Sequence, residues 1–410
     1  MERICHVMAQ VAGNDVVIAG GGPAGMMLGL LIARAGVPVT VLEKHADFFR
    51  DFRGDTVHPS TMEILAELGL LGRFLQRPHT RIEGAELSCN GRLMKIGDLT
   101  HLKMPAPFIA MMPQWDFLDF LRDEAAAFPA FRLRMEAPAA GYLEEAGRVA
   151  GVRLANGEEL RATLTIAADG RDSLVRTVLP LENLGAPIDV FWLAVPKVEA
   201  GSGLRGAVRG NRLIVMIDRG DYWQCAFVIG KGGGEAIKAR GIAAFRDDLR
   251  TVAPDLPDLE AALPDFDHVS LLSVALDRLT TWSKPGLLAI GDAAHAMSPV
   301  GGIGINLAIQ DAVCAANELA LALRDGEDVD RLLHRVQDRR MLPTRLIQGA
   351  QRAIHERVLK PLVEGTMNMP EKPPLPLRLL NRFALLRRIP GYFIGHGIRQ
   401  EHVRSPVSRL

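Results

Sequence analysis

The chain has 410 residues, 48% of them hydrophobic, and its 48 basic and 48 acidic side chains leave no formal net charge. That length accommodates two or three domains, and the charge balance excludes a disordered chain and electrostatic capture of nucleic acid. The cysteines Cys5, Cys89, Cys225 and Cys314 are far apart, with no C-x-x-C pair and no histidine cluster at ligand spacing, so no metal site is expected and a reducing compartment is.

Residues 1–14 carry charges and lack the apolar core of a secretory signal. No run reaches the ~18 apolar residues of a membrane span, so the expected location is cytoplasmic. The first element is the stretch Asp15 to Glu43. Val16 to Ala19 reads as a strand buried on both faces. Gly20, Gly22 and Gly25 follow as G-x-G-x-x-G, a helix is predicted from Pro23 to Ala35 with Gly36 as its stop, and Val39 to Leu42 is the next strand. Glycine is needed there because the chain must turn tightly, let a pyrophosphate approach the backbone, and pack helix on strand. The helix start supplies N–H groups and a positive dipole end. Glu43, about 20 residues on, is placed to accept hydrogen bonds from an adenosine ribose. The complete unit predicts dinucleotide binding.

Next comes Arg53-Gly-Asp-Thr-Val-His58-Pro, in which Arg53 is either a solvated charge or a phosphate partner. Ser60 and Glu63 have the spacing of a capping box, and Ile64, Leu65 and Leu68 give the helix behind them an apolar face. Residues 81–112 alternate irregularly, as strands of a second domain would. Helical periodicity resumes at Gln114. Val149 to Leu154 and Leu160 to Ala168 are joined through Asn156-Gly157, a hairpin signal. Asp169-Gly170 then follows a buried strand, at the sheet edge where α/β folds place ligands.

Residues 181–277 hold short β-like runs, Val190 to Val195, Arg212 to Ile217 and Tyr222 to Ile229 among them, and predict an inserted, mainly antiparallel sheet. Leu287 to Ile290 is another buried strand. It runs into Gly291-Asp292, His295, Pro299, Gly302, Gly304, Ile305 and Asn306, after which Ile309, Val313, Ala316, Leu319 and Leu323 mark one face of a long helix. Beyond Asp325 the chain reads as helical and basic, kinked at Pro343, with a proline-rich linker from Pro370 to Pro376. The arginine-rich tail Arg378 to Arg404 reads as a helix packed on the body, with a membrane-surface or partner role as the alternative.

Three of these motifs together resemble the single-component FAD-dependent aromatic monooxygenases, the para-hydroxybenzoate hydroxylase-like family. Gly20 to Gly25 with Glu43 is similar to its ADP-binding unit. Asp169-Gly170 with Ser173 and Arg176 is similar to its second motif, associated with FAD and NAD(P)H. Trp282 leading to Gly291-Asp292 and on to Asn306 is similar to its flavin ribityl motif. The resemblance implies an α/β fold: a Rossmann-like FAD-binding domain of the glutathione-reductase type, an inserted antiparallel substrate domain and a helical C-terminal region. The FAD-binding parts would be residues 1–80, 113–180 and 278–325, the substrate parts 81–112 and 181–277, and the helical region 326–410.

By resemblance, FAD would be held by Gly20, Gly22, Ala24, Gly25, Glu43, Lys44, Arg53, Gln114, Asp169, Gly291, Asp292, Pro299, Gly302, Gly304, Ile305 and Asn306. The implied activity is hydroxylation of an aromatic or other hydrophobic small molecule with NAD(P)H and O2, through a flavin C4a-hydroperoxide, in a monomer or homodimer. A flavin-dependent reductase or dehydrogenase, or an epoxidase, is the alternative on the same scaffold. Trp192-Leu-Ala-Val-Pro196 departs from the halogenase pattern W-x-W-x-I-P: Ala194 stands at the second Trp, and Val195-Pro196 comes one position too early for Ile-Pro. Catalytic candidates are His58, Pro299 and Tyr222, the last because family members activate phenols through tyrosines; Trp192 and Trp223 are candidate pocket walls.

Overall fold

The computed structural model of the chain describes residues 16–49, 56–197, 203–366 and 373–408. A six-stranded sheet forms the base, in the order Ser283–Lys284, Leu287–Ala289, Leu164–Ala167, Val16–Ala19, Val39–Leu42, Phe131–Arg134. All neighbours are parallel except the first pair. Val16 and Ile18 point into a core shared with the helices Pro23–Arg34, Gln114–Ala125 and Gly304–Asp325. Val17 and Leu42 point the other way, onto Val152, Leu154 and Ala162. Burial on both faces is why the central strand reads as an unbroken apolar run.

The cover on that second face is a three-stranded antiparallel sheet of Ala139–Glu145, Arg148–Leu154 and Glu159–Arg161. The expected hairpin is therefore present at Asn156-Gly157, but its return strand is only Glu159–Arg161. Leu164–Ala167 belongs to the parallel sheet. The polar, exposed Glu159 and Arg161 suit an edge, whereas the fully buried Leu164 to Ala167 suits a centre.

A seven-stranded sheet stands beside this base, in the order Ser270–Ser273, Ile188–Pro196, Tyr222–Gly230, Arg212–Asp218, Leu204–Arg209, Gly84–Cys89, Arg92–Asp98. It is antiparallel except where Leu204–Arg209 meets Gly84–Cys89. Residues 81–112 thus divide. Gly84–Cys89 and Arg92–Asp98 join the large sheet, while Thr80–Ile82 and Ile109–Met111 pair with each other in a small sheet completed by Thr56–Val57.

The alternation of the large sheet is strict. Phe191, Leu193, Val195, Ile214, Met216, Cys225 and Phe227 pack on Phe245, Leu249 and Val252 of the helix Ile242–Val252. Val190, Trp192, Val215, Ala226 and Val228 face the opposite way, toward the base and the C-terminal helices.

The helix Leu333–Ile354 runs through Pro343 without interruption, and the irregularity falls at a π turn, His355–Leu359. The helix Pro59–Glu67 begins one residue before the expected capping box: His58 is its N-cap, without a side-chain cap bond, and Ser60 is buried inside it. Pro59 at the first helical position fixes the backbone there.

Candidate active site

The three glycines of the first turn have separate reasons. Gly20 has φ +110°, and a Cβ there would lie 2.3 Å from the Ala168 carbonyl oxygen. A Cβ at Gly25 would lie 1.9 Å from the Gly20 oxygen, so helix and turn touch directly. Gly22, the N-cap, would meet nothing within 4 Å. The helix start, with the buried Ala24 behind it, thus presents bare backbone to open space.

Glu43 is buried at the end of its strand, and its carboxylate receives the Gly21 N–H at 3.2 Å and the His45 N–H at 3.0 Å. Lys44 is exposed beside it, and Arg53 lies outside the described residues. Gln114 is the first residue of the helix Gln114–Ala125, half-buried.

Asp169 lies against the turn, its Cα 2.7 Å from where a Gly20 Cβ would be. Burial pushes its pKa up, partly offset by Ser173, the Leu174 N–H and the charge of Lys44. Its Oδ1 is buried without a protein partner. An unpaired acceptor beside bare helix N–H groups fits a group that has both hydroxyls and phosphates, as FAD has.

The segment after Leu287–Ala289 is mostly irregular, so other parts of the chain fix it. Gly291 has φ +60°, and a Cβ there would stand 3.1 Å from Ala24 Cβ and 3.2 Å from Ala308 Cβ. Its N–H donates to Asp311 Oδ2 at 3.1 Å, and His295 Nε2 is 2.6 Å from the same oxygen. Arg340 Nε donates to Asp311 Oδ1 at 2.9 Å. His295, Asp311 and Arg340 are no more than 1% exposed. Burial alone would raise the Asp311 pKa, and the adjoining His295 and Arg340 hold it below the usual range instead. Asp292 is half-exposed, paired with Arg171 at 3.1 Å, and its carbonyl accepts from Arg176 at 2.7 Å.

Around Pro299, Gln351 accepts from the Ser298 N–H at 3.1 Å and donates to the carbonyls of Ser298 and Val300, each at 3.0 Å. Ser298 Oγ is 2.8 Å from His355 Nε2, at the π turn. Gly302 has φ +60° and its carbonyl accepts from Thr56 Oγ1 at 2.8 Å. Gly304 opens the long helix, with Ile305 buried behind it.

The Asn306 side chain is taken up by protein partners. Its oxygen accepts from the His58 N–H and Thr61 Oγ1, both at 2.8 Å, and its amide donates to the Thr56 and Gly302 carbonyls at 3.2 and 3.3 Å. The side chain ties the Thr56–His58 segment to the helix start.

Opposite this loop is the inner face of the large sheet. Val300 packs with Val190, Ala226, Val228 and Val274. Trp192 lies opposite Ala226, and Gln224 is two residues before Ala226 on the same face, so the two are diagonal neighbours about 7–8 Å apart. Trp192 Nε1 and Gln224 Oε1 are both buried without a protein partner.

His58 is 1% exposed, with Nδ1 2.8 Å from the Ile394 carbonyl and Nε2 buried and unpaired. The bond to a carbonyl requires the proton on Nδ1, which makes Nε2 an acceptor. Desolvation lowers its pKa to about 4 against the pull of that bond. Ile394 packs in the same apolar cluster as Trp192.

Tyr222 is on the same face, two residues before Gln224 on the same strand, at the end away from Val228. It lies six residues along its strand from Val228, roughly 20 Å at the rise of a strand. Trp223 faces the helix side, with Lys197 5.1 Å from its ring.

A family model described as an FAD binding domain matches residues 14–350. The chain belongs to that family. It is 34% identical over 341 residues to the 6-methylpretetramide 4-monooxygenase of Streptomyces rimosus, covering 81% of each. It is 31% identical to the rifampicin monooxygenase of Streptomyces venezuelae, covering 78% of this chain and 66% of that one. The solved structure of PqsL from Pseudomonas aeruginosa has a TM-score of 0.73 at 22% identity, over 86% of this chain and 98% of that one. Flavin-dependent halogenases also share the fold.

The chain is therefore a flavoprotein monooxygenase of the para-hydroxybenzoate hydroxylase-like class, as its motifs suggested. Within this FAD-binding family member, sequence reading missed Asp311, Arg340, Gln348, Gln351 and His355. Helical spacing does place Asp311 one turn and more past Asn306, but nothing in the sequence marks the loop as its partner.

Two outcomes are expected. Asp311→Asn removes the charge from a fully buried pair and should cost about 3 kcal/mol in chemical unfolding, because Arg340 is left with only the longer contact to Glu401, at 3.5 Å, as a counter-charge. His58 keeps its stabilising neutral form above its ordinary pKa of 6.5, and that contribution is lost as pH falls toward the folded value of about 4. Unfolding measured at about pH 7.5 and about pH 5 should show a fall of about 2 kcal/mol from this group. His58→Gln should abolish that part of the fall.

Proposed function

We propose that the protein hydroxylates an aromatic or other hydrophobic small molecule, taking electrons from NAD(P)H and the oxygen atom from O2. One observation carries the reading: the loop at Pro299 and Val300 is set against an apolar sheet face whose only buried unpaired side-chain atoms are Trp192 Nε1 and Gln224 Oε1, among the described residues. Buried polar atoms without partners are costly, and a bound ligand is the economical way to satisfy them. In this reading Trp192 donates to a substrate carbonyl or phenol oxygen, and Gln224 accepts from a hydroxyl.

In the same reading, the N–H groups at Gly22, Ala24 and Gly25 bind the pyrophosphate of FAD, and Glu43 accepts from the adenosine ribose. Asp169 and Asp292 accept from hydroxyls further along. The N–H groups from Gly302 to Asn306 begin a long helix, whose positive end stabilises negative charge on reduced flavin. Pro299 would lie beside the ring end of the cofactor, and Lys44 and Gln114 would line its course, with Arg53, outside the described residues, kept as a phosphate partner on its sequence motif alone. Bound FAD supplies the activation of O2.

The balance is one substrate C–H, O2, NAD(P)H and a proton giving the C–OH product, water and NAD(P)+. The protein's part is to exclude water and to hold the substrate. His58, neutral at pH 7, serves as a hydrogen-bond acceptor for the substrate rather than as a base of ordinary strength.

Purified protein should be yellow and should oxidise NAD(P)H faster when a suitable substrate is added. Gln224→Leu and Trp192→Phe should each weaken substrate binding about tenfold, the effect of one lost hydrogen bond of roughly 1.5 kcal/mol, with flavin content unchanged. Equal product yield without oxygen would overturn the reading in favour of a reductase.

A further inference from the structure

The helices Leu375–Arg382 and Ala384–Gly395 are amphipathic in an inverted sense. On the second, the small residues face inward: a Cβ at Gly391 would lie 1.9 Å from the Asp98 carbonyl oxygen, and one at Gly395 would lie 2.4 Å from Leu102 Cδ1. The large apolar residues face outward. Leu375, Leu379, Phe383, Leu385, Ile389, Tyr392 and Phe393 are between 38% and 69% exposed. Leu385, Ile389, Tyr392 and Phe393 recur at the spacing of one helical face. Together these side chains present an apolar surface on the order of several hundred Å2, which a monomer in water rarely leaves bare.

The charge on the same segment has one sign. From Pro373 to Gln400 there are five arginines, Arg378, Arg382, Arg387, Arg388 and Arg399, and no acidic residue, in a chain whose net charge is zero. Arg378, Arg382 and Arg388 are exposed among the apolar side chains. A second copy of the chain on a two-fold axis would set these arginines against their own counterparts. A lipid surface with anionic headgroups matches both components, the apolar side chains entering the acyl boundary and the arginines staying at headgroup level.

We propose that this face is a peripheral membrane-attachment surface that binds anionic lipid. It is anchored to the body at both ends. Asn381 Oδ1 accepts from the Lys95 N–H of the edge strand at 3.0 Å, and the Ile394 carbonyl meets His58 at 2.8 Å. The helices therefore lie across the edge of the large sheet, beside a cleft of about 580 Å3 lined by Arg81, Ala85, Gly97, Leu204 and Arg387. Attachment would turn that cleft toward the lipid. No helix among the described residues is long and apolar enough to cross a membrane, so binding is at the surface.

The test is flotation of the flavin-loaded full chain with vesicles of neutral phosphatidylcholine, and with vesicles containing about 30% phosphatidylglycerol. Binding to the anionic vesicles should be at least about tenfold tighter and should weaken with added salt. The double variant Leu385→Glu with Phe393→Glu should lose it while keeping the flavin spectrum and the thermal midpoint, and Arg382→Glu with Arg388→Glu should lose the preference for anionic lipid. Failure of the wild type to float with either vesicle overturns the proposal. So does concentration-dependent dimerisation that the first variant abolishes, which would make the face a contact between copies, and so does stable capture of an acidic protein in place of lipid. None of these outcomes bears on the hydroxylase reading, which is read from turnover.

Discussion

A single carboxylate with no access to water holds the centre of this molecule together. Asp311 takes the Gly291 N–H, His295 and Arg340 at once, joining the irregular loop after Leu287–Ala289, the long helix Gly304–Asp325 and the helix Leu333–Ile354. Arg340 continues to the Arg399 carbonyl at 3.1 Å, and Arg339 binds the buried Glu401 at 2.6 Å. A buried ion pair of this kind contributes little net stability against an apolar replacement, but it is costly to break and it fixes geometry. Geometry is what the loop requires, since the backbone from Ala293 to Gly302 makes few regular hydrogen bonds. Gln348 donates to the Asp277 and Ala296 carbonyls at 2.8 and 3.2 Å, and Gln351 and His355 hold Ser298. The C-terminal helices thus act as the mould for the loop.

That arrangement sets one surface against another. The loop comes from the mainly parallel base, whose central strands are buried on both faces. Its opposing wall comes from a sheet that alternates, one face closed by the helix Ile242–Val252 and the other turned to the loop and the C-terminal helices. A polar group on the closed face would cost several kcal/mol. Trp192 and Gln224 stand on the other face, where a ligand can satisfy them. His58 couples the pieces: its N–H binds Asn306, its ring binds Ile394, and it caps the helix Pro59–Glu67. The C-terminal segment is consequently part of the wall around the site.

Much of the base was legible because its residues are dictated locally. Gly20 and Gly25 sit where a Cβ would strike backbone, Val16 to Ala19 is apolar on both sides, and Gly291 and Gly302 adopt positive φ. Such requirements leave a mark at fixed spacing. Other features depend on partners far away in the chain and leave none. Asn306 fits the expected motif, yet its side chain serves Thr56, His58 and Thr61, some 250 positions earlier in sequence separation. Asp311 looks like an ordinary polar residue on a helix until Arg340 arrives. The interior strand Leu204–Arg209 was not legible, since its glycine and two arginines give no clean alternation, and neither was the division of residues 81–112 between two sheets. Tyr222 lies in the strand foreseen for it, while its place along the sheet is set by register, which periodicity alone does not provide.

The central claim is that oxygen from O2 enters the product at a carbon placed between the Pro299 loop and the inner sheet face. The most direct measurement is turnover of an accepted substrate under isotopically heavy dioxygen in ordinary water, with the product read by mass spectrometry. The account predicts a product carrying one heavy oxygen atom, formed together with NAD(P)H oxidation. A product that carries only oxygen from water, or that forms to the same extent without dioxygen, would contradict it.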